Sequence, residues 1–135
     1  RIQHGALLGY PACVMSCHVS NHEACEYPQE LQYRFHVALG GALGYELHLP
    51  KASSTVRNTI KEQIAQYRSL EDFILRGNYY PLLSPYETNY SAYYYADDES
   101  KRIFLSFLQQ QSDLLKILIL IFLKPSKLLI LSLAV

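Results

Sequence analysis

The chain has no tryptophan, a single methionine, six glycines and an odd number of cysteines, three in 135 residues. Three thiols cannot all pair within one chain. That argues against a secreted disulfide scaffold and for reduced cysteines in the cytoplasm. Neither charge is in surplus, with Lys+Arg and Asp+Glu both at 12, so nothing in the charge recruits nucleic acid or an anionic membrane. No apolar run reaches the roughly 18–20 residues that span a bilayer. The two apolar stretches near the end, 114–123 and 128–135, are separated by Lys124-Pro125-Ser126-Lys127. The chain begins at Arg1 without a charged-then-apolar leader, so it reads as the C-terminal piece of a longer protein and not as a secretory precursor. Aspartate is absent before Asp72. Half the residues are hydrophobic and 18% are charged, a globular composition. Twelve tyrosines are available to fill half-buried strands or to line a sugar site.

The hydrophobic pattern organises the chain around residues 3–49. The apolar run 5–10, closed by Pro11, predicts a buried strand. Residues 12–29 hold all three cysteines, two histidines, Asn21, two serines and Pro28, the composition of a long loop. Leu31, Phe35, Ala38 and Leu39 recur at helical spacing, predicting a helix over 30–39 that ends at Gly40-Gly41. A second apolar strand over 42–49 stops at Pro50. Strand, crossover helix and strand make a βαβ unit with parallel strands.

Val56, Ile60, Ile64, Tyr67, Leu70 and Ile74 form a helical stripe that predicts one long helix over about 55–74, ending at Gly77 and packed on the sheet. The composition then changes. Residues 79–83, 90–96 and 102–108 read as strands joined by turns at Ser84-Pro85 and at 97–100, hence antiparallel. The two apolar stretches of the tail read as two further strands about a turn. A domain boundary falls near Gly77-Asn78, giving domains 1–77 and 78–135.

The same residues carry a resemblance. Ile2-Gln3-His4-Gly5, Tyr10-Pro11, Met15, His18-Val19-Ser20, Asn21-His22, Arg34 through Leu39 and Gly41 through Leu47 fall in the order of a family pattern. So do residues 60–68 and 77–101. Over about residues 1–105 the chain resembles the C-terminal part of family 36 glycoside hydrolases, the bacterial-type α-galactosidases. The resemblance implies an α/β architecture: the last two βα units of a (β/α)8 TIM barrel, followed by a partial antiparallel β-sandwich. It implies a retaining hydrolase of terminal α-galactosyl groups on oligosaccharides such as melibiose and raffinose, needing no cofactor and commonly a homo-oligomer.

Retaining hydrolysis uses two carboxylates about 5–5.5 Å apart, in a barrel at the C-terminal ends of strands. The aspartates here are Asp72, Asp97, Asp98 and Asp113, on a helix, in a turn and in the tail. By the resemblance both catalytic aspartates precede Arg1, so no catalytic residue is expected in this chain. His18, Ser20, Asn21 and His22 are expected on the loop after the first strand, facing the sugar pocket as rim residues or as scaffolding for that loop. The family's short Ala-Val-Pro segment between Ser20 and Asn21 is missing, and Ser16-Cys17 replaces a glycine and a small residue. Glu46, at a strand end, offers an active-site carboxylate, but alternation along 43–49 favours a helix-facing position with Arg34 as its ion-pair partner. Cys13, Cys17, His18, His22 and Cys25 offer metal-ligand chemistry and frame a competing reading, a non-catalytic α/β interaction or metal-binding module. Their spacing lacks the Cys-x2-Cys knuckle of zinc sites, and no metal is expected.

Overall fold

In the computed structural model, residues 1–20, 28–97, 102–109, 117–123 and 128–134 are described. The chain opens with helix α1 (Ile2–Leu7), followed by a single 3₁₀ turn at Ala12–Val14 and strand β1 (Ser16–Ser20). Helix α2 (Pro28–Ala38) leads to strand β2 (Ala42–Glu46). Helices α3 (Ser54–Arg68) and α4 (Glu71–Arg76) precede five strands: β3 (Asn78–Leu83), β4 (Tyr90–Asp97), β5 (Arg102–Gln109), β6 (Ile117–Leu123) and β7 (Leu128–Ala134).

The βαβ unit is present, but its first strand is not where the apolar run lies. Residues 5–10 fall within and just after α1, where His4 and Leu7, three positions apart, bury one face of the helix. The strand is Ser16–Ser20, within the stretch expected to be a loop. Its burial alternates strictly, with Cys17 and Val19 buried and Ser16, His18 and Ser20 exposed. A strand with helices on one face needs only every second residue to be apolar, and such a strand hides inside a polar composition. β1 and β2 pair in parallel, with Cys17 opposite Leu43, His18 opposite Gly44 and Ser20 opposite Glu46.

Behind the pair, Cys17, Val19, Leu31, Ala38, Val56 and Ile60 form one buried cluster. α2 therefore faces two ways. Leu31 and Ala38 cover the parallel strands, while Phe35 and Leu39 join a second core with Tyr67, Phe73, Ile74, Tyr95 and Phe104. Ser53 caps α3, its side chain accepting from the Val56 N–H at 3.2 Å, which satisfies one of the free donors of the first turn.

The expected single helix over 55–74 is broken at Ser69-Leu70. The break follows from the two cores. Val56 and Ile60 serve the parallel pair, whereas Tyr67, Leu70, Phe73 and Ile74 serve the antiparallel sheet, and one straight stripe cannot aim at both. Ser69 stabilises the break by donating its hydroxyl to the Gln66 carbonyl at 2.6 Å. Ile64, expected in the stripe, is 40% exposed; Gln63 takes the buried position beside it. α4 ends at Arg76 with Gly77 next, where the sequence places the end. Gly77 is extended at φ −67°, ψ 151°, not left-handed. It is glycine for space, since a Cβ there would meet the Phe73 carbonyl oxygen at 2.6 Å.

The five remaining strands form one antiparallel sheet in sequence order. The expected strands and both strands of the tail lie within it. Its inner face carries Tyr79, Tyr93 and Tyr95, with ring centroids 5.4–5.8 Å apart. Its outer face carries Tyr80 stacked on Tyr94 at 4.7 Å and a half-exposed Ile103. No helix among the described residues is long and apolar enough to cross a membrane.

Candidate functional site

Parallel pairing places Ser16, His18 and Ser20 of β1 and Gly44 and Glu46 of β2 on the face turned away from the helices. This face holds the candidate site. His18 is clamped at both ring nitrogens, with Nδ1 2.9 Å from Glu46 Oε1 and Nε2 2.8 Å from Ser16 Oγ. An ionised carboxylate can only accept, so Nδ1 carries the proton toward Glu46. In the tautomer with its proton on Nδ1, the ring accepts the Ser16 hydroxyl proton at Nε2. The imidazole approaches the opposite residue, Gly44, through its Cδ2–Nε2 edge: a Cβ there would collide with Cδ2 and stand 2.8 Å from Nε2. Glycine is required here for close approach, not for backbone conformation.

The arrangement is a directed row, Ser16 to His18 to Glu46, that fixes a carboxylate at the C-terminal end of a parallel strand. Side chains at that end of an α/β sheet are the ones placed to meet a ligand. His18 and Glu46 remain partly in water, with side chains 40% and 62% exposed, so their pairing orients more than it stabilises.

Two of the four expected rim residues, His18 and Ser20, share this face, but as strand residues and not as loop residues. Asn21 and His22 lie outside the described residues. For Glu46 the helix-facing expectation is corrected. It faces away from the helices and pairs with His18, not with Arg34, because its register partner Ser20 is already on the open face. The signal for this lay in Gly44: a glycine two positions before a strand-end carboxylate leaves room for a ring from the neighbouring strand.

The metal reading loses its geometry among the described residues. Cys13 is exposed on the 3₁₀ turn, whereas Cys17 is buried behind β1 with its thiol pushed up to about 11 by burial, a packing residue and not a thiolate ligand. His18 is engaged at both nitrogens. Among the described residues no three His, Cys, Asp or Glu side chains come together to hold a metal ion. Cys25 is outside them.

Sequence reasoning missed a polar network behind the pair. Tyr45 donates to Gln63 Oε1 at 2.9 Å, Gln63 donates to Gln32 Oε1 at 3.0 Å, and the Gln32 amide meets His36 Nε2 at 2.9 Å. His36 is fully buried, and burial lowers its pKa to about 4, so it is neutral. The aspartates are elsewhere. Asp72 pairs with Arg76 at 2.8 Å on α4, and Asp97 closes β4 with Arg102 at 3.9 Å. Asp98 and Asp113 lie outside the described residues.

Comparison with known proteins places this geometry. The Melibiase family model matches residues 1–77. The α-galactosidase AgaA of Geobacillus stearothermophilus is 34% identical over 110 residues, covering 79% of this chain and 15% of that protein. α-Galactosidase 1 of Pediococcus pentosaceus is 33% identical over 73% of this chain and 14% of its own. Among solved structures, AgaA in complex with raffinose superposes with a TM-score of 0.70 at 32% identity, covering 80% of this chain and 15% of that one. The α-galactosidase of Lactobacillus brevis gives 0.71 at 30% identity over the same shares. The chain belongs to the Melibiase family, the family 36 glycoside hydrolases. It spans about a seventh of the length of these relatives.

Proposed function

We propose that this chain is a C-terminal segment of a retaining α-galactosidase that hydrolyses terminal α-galactosyl residues from oligosaccharides such as raffinose. The observation that carries the reading is its superposition on a galactosidase solved with raffinose bound. In this reading β1 and β2 are the last two strands of a (β/α)8 barrel, about a quarter of its wall, and α2 and α3 are its outer helices. The face bearing Ser16, His18, Ser20 and Glu46 then looks into the barrel. Ser20 and Glu46 stand at its mouth, with His18 one layer below. Asn21 and His22, following Ser20, extend the same rim. Residues 1–77 belong to the barrel domain and 78–135 begin a β-sandwich. The outer face of the antiparallel sheet, with Tyr80, Tyr94 and Ile103, has the apolar character that a second sheet would cover.

The chemistry of the whole enzyme needs a nucleophile and an acid/base held at fixed separation. Asp72 and Asp97 are committed to ion pairs on a helix and at a hairpin end, so they do not supply that pair. The segment contributes barrel wall and pocket rim. No cofactor enters this chemistry. The three cysteines, two of them free thiols at Cys13 and Cys17, fit the cytoplasm, and the balanced charge fits a sugar substrate, not nucleic acid or a membrane. A homo-oligomeric whole enzyme follows from the family likeness alone.

The test is release of a chromogenic phenol from an aryl α-galactoside. The purified chain is expected to show no turnover, and activity is expected when the segment is joined to the upstream barrel. Turnover by the chain alone that disappears in an Asp97→Asn/Asp98→Asn variant would overturn the reading.

A further inference from the structure

Glu46 ends β2 on the open face, and its carboxylate turns back across the parallel pair to His18, which lies opposite Gly44. Three features fix it there. His18 Nδ1 holds Oε1 at 2.9 Å, the Ser16 hydroxyl holds the far ring nitrogen at 2.8 Å, and Gly44 leaves the ring its space. A flexible carboxylate loses rotamer freedom when it binds a ligand; this one has lost much of it beforehand. Only Oε1 is engaged. Among the described residues Oε2 has no bonded donor, and the side chain is 62% exposed. An acceptor of fixed direction therefore faces the space in front of the strand end.

The chemistry of this acceptor narrows what it meets. Glu46 is the one carboxylate on the described part of that face, so it has no second carboxylate at the separation that retaining hydrolysis needs. It is therefore neither the nucleophile nor the acid/base. His18 and Glu46 do not form a metal site either, since both ring nitrogens are engaged and no third ligand joins them among the described residues. What remains is a hydrogen bond from a ligand that donates. On the hydrolase reading, on which this inference rests, the group in front of the strand ends is a galactosyl residue, and its donors are hydroxyls. A hydroxyl bonded to a carboxylate makes a shorter and stronger bond than one to a neutral acceptor.

We infer that Glu46 is a specificity-determining residue of the sugar pocket: its Oε2 accepts a hydrogen bond from one hydroxyl of the galactosyl group, and His18 is the positioning residue that aims it.

The test pairs the residue with the substrate. Aryl α-galactosides, each lacking one hydroxyl of the galactosyl group, are compared in the whole enzyme, where this segment is joined to the upstream barrel. The wild type is expected to lose about tenfold or more in kcat/KM on one member of the series, relative to Glu46→Ala on the same member, the equivalent of one charge-assisted hydrogen bond. In Glu46→Ala the loss of that hydroxyl should matter no more than about twofold. A merely structural Glu46 would slow every member alike and leave the pattern of discrimination unchanged, and that result overturns the proposal. His18→Ala, which keeps the carboxylate but frees it, should blunt the same discrimination and raise KM more than it lowers kcat. It also decides the matter should Glu46→Ala fail to fold: discrimination equal to wild type in His18→Ala overturns the aiming of Glu46. A whole enzyme with no turnover on the parent galactoside overturns the hydrolase reading, and this inference with it, whereas full turnover with an unchanged pattern overturns this inference alone.

Discussion

The hydroxyl of Tyr95, buried in β4, donates a 2.6 Å hydrogen bond to the carbonyl of Gly40, just past the end of α2. One bond between residues 55 positions apart thus ties the antiparallel sheet to the helix that crosses between β1 and β2. Tyr67 makes a parallel tie to the next carbonyl, Gly41, at 3.0 Å. Both carbonyls lie in the turn between α2 and β2, outside any helix or strand ladder, and both are satisfied by tyrosines. Gly41 has no alternative, since a Cβ there would meet the Met15 carbonyl oxygen at 2.6 Å and the Cys17 sulfur at 2.8 Å.

Tyr95→Phe should therefore destabilise the chain by about 1–3 kcal/mol, because it strands a buried carbonyl while leaving the ring packing intact. Urea unfolding followed by circular dichroism measures this. An unchanged midpoint would mean that water replaces the hydroxyl and that the contact between α2 and the sheet is loose.

The His18 clamp depends on the space over Gly44. In Gly44→Ala the new methyl must displace the imidazole and break both its bonds, to Ser16 and to Glu46. The cost expected is about 1–3 kcal/mol, typical of overpacking. The accompanying sign is a change in the His18 side-chain NMR resonances, with those of His36 unmoved. Unperturbed His18 resonances in Gly44→Ala would show that the ring does not lie on the glycine.

Acid sensitivity should come from His36. Its pKa falls from the ordinary 6.5 to about 4 in the folded chain, because burial disfavours the charged ring. Between those values the unfolded chain binds the proton and the folded one does not. The contribution is therefore fully retained above about pH 6.5, and stability is lost as pH falls toward 4, by up to about 3 kcal/mol. His36→Gln, which keeps a polar partner for Gln32, should flatten that part of the stability-against-pH curve. A curve of the same slope in the variant would assign the acid sensitivity to other groups.

Ile60 and Ile64 make a matched pair on one helix. Ile60 is 4% exposed in the core behind β1, whereas Ile64 is 40% exposed. Ile60→Asp buries an unpaired charge and should cost several kcal/mol, while Ile64→Asp should stay near 0.5 kcal/mol, as surface substitutions usually do. Comparing the two melting temperatures checks the rotation of α3. Equal losses would restore the straight stripe over 55–74.

The sequence alone determined the helix between the two parallel strands, their parallel pairing across it, and the antiparallel character after Gly77. Those follow from local spacing: Leu31, Phe35, Ala38 and Leu39 at helical period, and tyrosine-rich runs between turns. It also carried the family pattern, because that rests on residue identity. Three things were decided only in the folded chain. The first strand is Ser16–Ser20 and not residues 5–10, because burial on one face lets a strand be half polar, and a run of six apolar residues does not distinguish strand from helix. The helix after Ser53 breaks because two separate cores pull its halves toward different sheets. Of the expected site residues, His18 and Ser20 came together on one face, and Glu46 joined them from the neighbouring strand. Its direction depends on register between β1 and β2, and a register between strands separated by a helix is set by how their buried faces meet that helix, information that no local stretch of sequence contains.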